Sequence, residues 1–108
     1  MSELSQKKCK PCEGGVDPMS ESDIQTMISN FPGWEYINGR LSRKWILKNH
    51  YEAMAFVNAV AWVSHKENHH PYITIGYKDV LIEYWTHAID GISENDFICA
   101  AKVDEILL

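Results

Sequence analysis

Residues 65–87 read His65-Lys-Glu-Asn68-His69-His70-Pro71-Tyr-Ile73-Thr-Ile-Gly76-Tyr77-Lys78-Asp79-Val80-Leu-Ile-Glu-Tyr-Trp85-Thr86-His87. The second half of this stretch sets the fold class. Residues 73–77 and 80–86 are rich in β-branched and aromatic residues, and Lys78-Asp79 between them reads as the turn of an antiparallel hairpin. Val80, Ile82 and Tyr84 fall on one face of the second strand, whereas Leu81, Glu83, Trp85 and His87 fall on the other. A two-residue turn sets Tyr77 opposite Val80, Ile73 opposite Tyr84 and His70 opposite His87. Opposed residues share a face, with Cβ atoms about 5 Å apart. A longer loop that uses Gly76 shifts this register by a residue or two. Either register leaves His69, His70 and His87 within reach of one small ligand. Pro71 suits the first residue of a strand, where no ladder donor is required.

Upstream, Asn49 opens a helical segment that runs to about Glu67. Phe56, Ala59, Val60 and Val63 recur at the spacing of one buried stripe. Met54, Ala55, Ala61 and Trp62 extend the apolar surface further, and Trp62 either borders the core or meets another subunit. Before this helix, Trp34-Glu-Tyr-Ile37 and residues 40–47 flank Asn38-Gly39. That pair supplies the positive φ angles of a type I′ hairpin turn. Ser20-Glu-Ser-Asp23 predicts a capping box ahead of a short amphipathic helix carrying Ile24, Met27 and Ile28, which Phe31-Pro32-Gly33 ends. Ser93-Glu-Asn-Asp96 predicts a last helix, with Ser93 as N-cap and Asp96 reaching back to it. The order is αββαββα, an α+β domain: a four-stranded antiparallel sheet with three helices on one face.

The chain has 108 residues, 45% of them hydrophobic, which fits one domain with a modest core. Its formal charge of -5 argues against direct nucleic-acid binding, which depends on Lys and Arg neutralising phosphates. No apolar run reaches membrane-spanning length, and the first ten residues lack the apolar core of a secretory signal. With three cysteines no closed disulfide framework is implied, so a reducing, cytoplasmic location is expected. Residues 1–19 read as a polar N-terminal extension, a tail or loop, and residues 20–108 as the domain. Cys9-Lys-Pro-Cys12 is half of a zinc or redox motif without its other half, or part of an irregular extension. Cys99 falls on a helix as a small core residue.

Four of the five histidines lie at positions 65–70 and 87. Imidazole titrates nearest neutrality, so a cluster of it both gives and takes protons. The residues alone leave three readings. One is an acid/base site. The second is a metal site, since His65 and His69 stand i, i+4, although the segment is not a His-Glu-x-x-His motif and has no strong carboxylate ligand. The third is a set of surface histidines near a helix C-terminus, where positive charge is favoured.

His65, His69-His70-Pro71, Tyr77, His87 and Asp96, followed with Gly91-Ile-Ser-Glu-Asn-Asp96, resemble the signature of the pterin-4a-carbinolamine dehydratases, also called dimerisation cofactors of a homeodomain transcription factor. The likeness covers about residues 20–108, and Cys-rich extensions look similar in some bacterial members. It implies the αββαββα fold and dehydration of 4a-hydroxytetrahydrobiopterin to quinonoid dihydropterin, recycling the cofactor of aromatic amino acid hydroxylases. It also implies a metal-independent enzyme with no cofactor of its own, a homodimer or homotetramer, and a hydroxylase as a possible partner. By position, His69 and His87 would be the acid/base pair and His70 would hold the pterin. Asn68, His69, His70, Trp85, Thr86, His87 and Ala88 would line the substrate pocket, Trp85 offering a flat surface. Asn68 and Ala88 stand where acidic residues are frequent, so each removes a carboxylate that would orient an imidazole. Asp96 reads as a helix cap rather than a catalytic group. The alternative function is a non-catalytic binding module or transcriptional co-regulator acting through its helix surface.

Overall fold

The computed structural model describes residues 2–10 and 17–108. Cys12 and the Gly14-Gly15 pair lie outside the described residues. Among the described residues four α-helices, α1 (Ser2–Ser5), α2 (Glu21–Ile28), α3 (His50–Glu67) and α4 (Glu94–Asp104), accompany four strands. The strands are β1 (Glu35–Ile37), β2 (Arg40–Ile46), β3 (Tyr72–Ile75) and β4 (Asp79–Tyr84), joined as one antiparallel sheet in the order β1-β2-β4-β3. The expected α+β class and order from α2 onward are present. None of the described helices is long and apolar enough to cross a membrane.

Local chemistry accounts for most boundaries. Asn38 and Gly39 adopt φ of 53° and 78°, so the turn before β2 has the backbone its sequence predicts. Asn49 caps α3 by accepting the Glu52 N–H at 2.9 Å. The α4 box is reciprocal, whereas at α2 only Ser20 contributes, accepting the Asp23 N–H at 3.1 Å. Gly91 has a steric reason: a Cβ there would meet Pro18 Cβ at 2.5 Å.

One face of the sheet carries Leu41, Val80, Ile82 and Tyr84, each at most 1% exposed, against Phe56 and Val60 of α3 and Phe97 and Ala101 of α4. Full burial of such side chains contributes about 1.5–3 kcal/mol each. Ala59 and Val63 are half-buried beside Phe56 and Val60, so the predicted α3 stripe is buried more deeply on one side. Trp62 is 62% exposed and Tyr51 84%, which places both on the outer face of α3.

The β3–β4 register differs from the two-residue turn at Lys78-Asp79. Ile75, not Tyr77, pairs with Val80, and the Gly76 N–H donates to the Asp79 carbonyl at 2.8 Å. The cause is β2, which pairs Ile46 with Asp79 and so draws Asp79 into the strand. The turn therefore moves back to Tyr77-Lys78. The shift is by two, so every side chain keeps its face.

The extension is not simply a polar tail. The α1 segment packs on α4, Ser5 Oγ donates to Glu105 at 2.6 Å, and Lys102 Nζ donates to the Ser5 carbonyl at 2.7 Å. Cys9 N–H donates to Glu67 Oε1 at 2.8 Å. Burial would raise the Glu67 pKa, but the Cys9 N–H and the Lys102 and Lys8 ammonium groups outweigh it and hold the carboxyl below its usual 4.5. A depressed carboxyl stabilises the fold above its unfolded pKa, and that contribution disappears as pH falls through the folded value. Glu67→Gln is expected to cost on the order of 1–2 kcal/mol at neutral pH. Denaturation of both proteins across pH 7 to 3 should show the difference closing below about 4.5. A constant difference would contradict this role.

Candidate active site

The end of α3 determines where the first histidine goes. Asn68 ends the helix in the left-handed region at φ 52°, a conformation that asparagine tolerates better than most residues. Its N–H donates to the His65 carbonyl at 3.4 Å, and the His69 N–H donates to the Ser64 carbonyl at 3.2 Å. This paired closure turns the chain so that His69 enters the fold while His70 stays exposed. His65 remains on the helix with its ring 5.1 Å from Trp62, so the i, i+4 geometry proposed for a His65–His69 metal pair does not exist. Among the described residues no group of three or more His, Cys, Asp or Glu is arranged to hold a metal ion.

His69 is tightly held. Its Nε2 lies 2.7 Å from Asp96 Oδ1, its side chain is 12% exposed, and its ring stacks on Tyr84 at 5.9 Å and 5°. Burial pushes the Tyr84 phenol well above its usual pKa, so the ring beneath His69 is uncharged. Asp96 is fully buried, and its Oδ2 accepts the Thr86 hydroxyl at 2.8 Å and the Ser93 N–H at 3.0 Å. Three donors thus converge on one carboxylate, which as an acceptor requires the proton of His69 on Nε2 and leaves Nδ1 as its basic atom.

His70 and His87 lie on the other side, at the edge of the sheet's outer face. Their ring centroids are 5.5 Å apart. His87 opens a 3-10 turn (His87–Ile89) and stacks on Trp85 at 4.5 Å and 20°. Trp85 in turn meets Tyr72 at 4.5 Å and carries the Arg40 guanidinium 4.0 Å over its ring. Arg40 is itself paired with Glu83 at 3.3 Å. A cleft of about 460 Å³ opens between these groups, within the usual range for small-molecule sites. Residues 66–70 line it from the end of α3 and the turn after it, residues 85–88 from beyond β4, Asn95 from α4, and residues 8–10 from the extension.

A family model described as "Pterin 4 alpha carbinolamine dehydratase" matches residues 17–106. A protein of Dechloromonas aromatica (strain RCB), provisionally named pterin-4-alpha-carbinolamine dehydratase, is 57% identical over 96% of this chain and 93% of its own length. One with the same name from Nitrosospira multiformis (strain ATCC 25196 / NCIMB 11849 / C 71) is 52% identical over 96% and 92%. The chain belongs to the pterin-4a-carbinolamine dehydratase family. The crystal structure of a transcriptional coactivator/pterin dehydratase from Brucella melitensis superposes with a TM-score of 0.80 at 25% identity, covering 83% of this chain and 98% of that one.

All seven pocket positions expected from the likeness to the dehydratases, Asn68, His69, His70, Trp85, Thr86, His87 and Ala88, border this one cleft. Their environments differ from what residue type suggests. Thr86 is buried, and its hydroxyl donates to Asp96 and accepts from Ser93 Oγ at 2.7 Å. Trp85 is engaged by His87, Tyr72 and Arg40, which makes it a support for His87 before it is a surface for a ligand. Asp96 is the largest revision: it is both the α4 cap and the partner of His69. The carboxylate that Asn68 does not supply to an imidazole therefore comes from α4. The capping-box spacing of Ser93 and Asp96 was visible in sequence, but nothing local signalled that one oxygen would be left for a residue 27 positions away. Residues 8–10 carry no motif that points to the cleft.

Proposed function

We propose that this dehydratase-family protein removes water from a 4a-hydroxytetrahydropterin by histidine acid/base catalysis. Loss of the 4a-hydroxyl breaks the C4a–O bond with its electron pair going to oxygen, which takes a proton and leaves as water. The N5–H proton is lost, and its bonding pair forms the C4a–N5 double bond of the quinonoid dihydropterin. Two groups able to exchange protons near neutral pH suffice, and positioned acid/base pairs contribute about 10²–10⁴-fold.

The observation that carries this reading is one cleft bordered by His69, His70 and His87, with His69 aligned by a buried carboxylate. In the proposed roles His69, through Nδ1, and His87 are the acid/base pair. His70, beside His87 and exposed, holds the pterin. Asn68, Trp85, Thr86 and Ala88 complete the binding surface. Such chemistry would return the pterin of an aromatic amino acid hydroxylase to its reducible form. The exposed Tyr51, Met54 and Trp62 on α3 fit a helix face that pairs with a second copy or another protein, so an oligomer or a binding role through that face accompanies the catalytic one.

Stopped-flow absorbance of carbinolamine decay tests the proposal. The protein should accelerate decay well above the buffer rate, with or without a chelator. Decay at the buffer rate would refute catalysis, and loss of rate with chelator would refute the metal-free mechanism.

A further inference from the structure

Residues 8–10 lie outside the segment matched by the family model, residues 17–106, yet they form one side of the cleft. They are fixed there. The Cys9 N–H donates to Glu67 Oε1 at 2.8 Å, the Lys10 N–H donates to Asn95 Oδ1 at 3.0 Å, and Asn95 Nδ2 returns a hydrogen bond to the Lys10 carbonyl at 2.7 Å. Cys9 Sγ rests 3.6 Å from Cys99 Sγ, and that contact together with burial pushes the Cys99 thiol far above its usual pKa, so it stays a neutral thiol. This segment is therefore a wall with a defined backbone path.

Among the described residues on that side, the charges are three lysines and one buried, paired carboxylate. Lys8, Lys10 and Lys66 line the cleft, and Lys8 Nζ donates to the Lys66 carbonyl at 3.2 Å, which brings the two chain segments together. Glu67, the carboxylate among the lining residues, has a side chain only 5% exposed. It is already engaged by the Cys9 N–H, by Lys8 at 3.9 Å and by Lys102 at 3.7 Å. The protein as a whole carries a formal charge of -5, so this positive rim is local. Dehydration of an uncharged bicyclic ring makes no use of ammonium groups.

We propose that the N-terminal strap is a specificity wall, and that Lys10 and Lys66 take an anionic substituent, phosphate or carboxylate, on the side chain of the pterin. The inference rests on the dehydratase reading of the same cleft. Lysine suits the task as a flexible point charge, and its grip on an exposed anion weakens with salt.

The test compares two 7,8-dihydropterins that differ only at the end of the C6 side chain, one with a free hydroxyl and one with that hydroxyl phosphorylated. Binding to the full-length protein is read by quenching of tryptophan fluorescence, with inorganic phosphate as competitor. The phosphorylated pterin should bind about tenfold tighter at low ionic strength, and the ratio should shrink as salt rises. The ratio should also fall towards one in Lys10→Ala/Lys66→Ala. Equal affinities in the unaltered protein, or a preference that survives the double substitution, would overturn the proposal. If the neutral carbinolamine is turned over while the affinities are equal, only the strap's charge selection is refuted. If neither pterin binds and the neutral carbinolamine is not turned over, the dehydratase reading fails and the strap proposal falls with it.

Discussion

Asp96→Ala is expected to lose about 3 kcal/mol or more of stability together with most of the turnover, because a buried carboxylate leaves three donors without their acceptor. Those donors are His69 Nε2, the Thr86 hydroxyl and the Ser93 N–H, at 2.7, 2.8 and 3.0 Å. Thr86 has a second partner in Ser93 Oγ, so the loss falls chiefly on His69 and on the start of α4. Asp96→Asn keeps the shape but turns an amide donor towards a site made of donors, and it should recover little. Urea denaturation gives the stability, and carbinolamine decay gives the rate. For the fraction that remains folded, turnover should drop further than stability explains, since His69 would no longer be held in one tautomer. A loss below about 1 kcal/mol would mean that the convergence of donors on Asp96 is not a stabilising network.

This residue also shows how far the sequence reaches. Spacing alone disclosed the helix that Asp96 caps, as it disclosed the Asn38-Gly39 turn and the buried face of Val80, Ile82 and Tyr84, because each depends on residues a few positions apart. The Asp96–His69 contact and the movement of the second turn to Tyr77-Lys78 depend on long-range partners, α4 and β2 respectively. Local pattern carries no trace of either. That His69, His70 and His87 would border one cleft was legible since a hairpin keeps its faces under a two-residue slip. What the pattern did not separate is the environment of each ring, one against a buried carboxylate and two on the outer edge. The strap was the least legible feature. Its wall is made by backbone groups of Cys9 and Lys10 meeting Glu67 and Asn95, and backbone donors have no signature in composition.

His87→Ala carries the second large effect. The ring is exposed, sits on a 3-10 turn and, among the described residues, makes ring contacts with His70, Tyr72 and Trp85, so its removal should change stability by less than about 1 kcal/mol. Loss of one member of an acid/base pair should instead lower the rate by about 10²–10³-fold. A protein acting only through the outer face of α3 would show no such loss. Stopped-flow decay of the 4a-carbinolamine, run side by side on the unaltered protein and on folded His87→Ala, tests the proposed site most directly. Rapid decay with the first and near-buffer decay with the second is the result predicted; equal acceleration by both would contradict it.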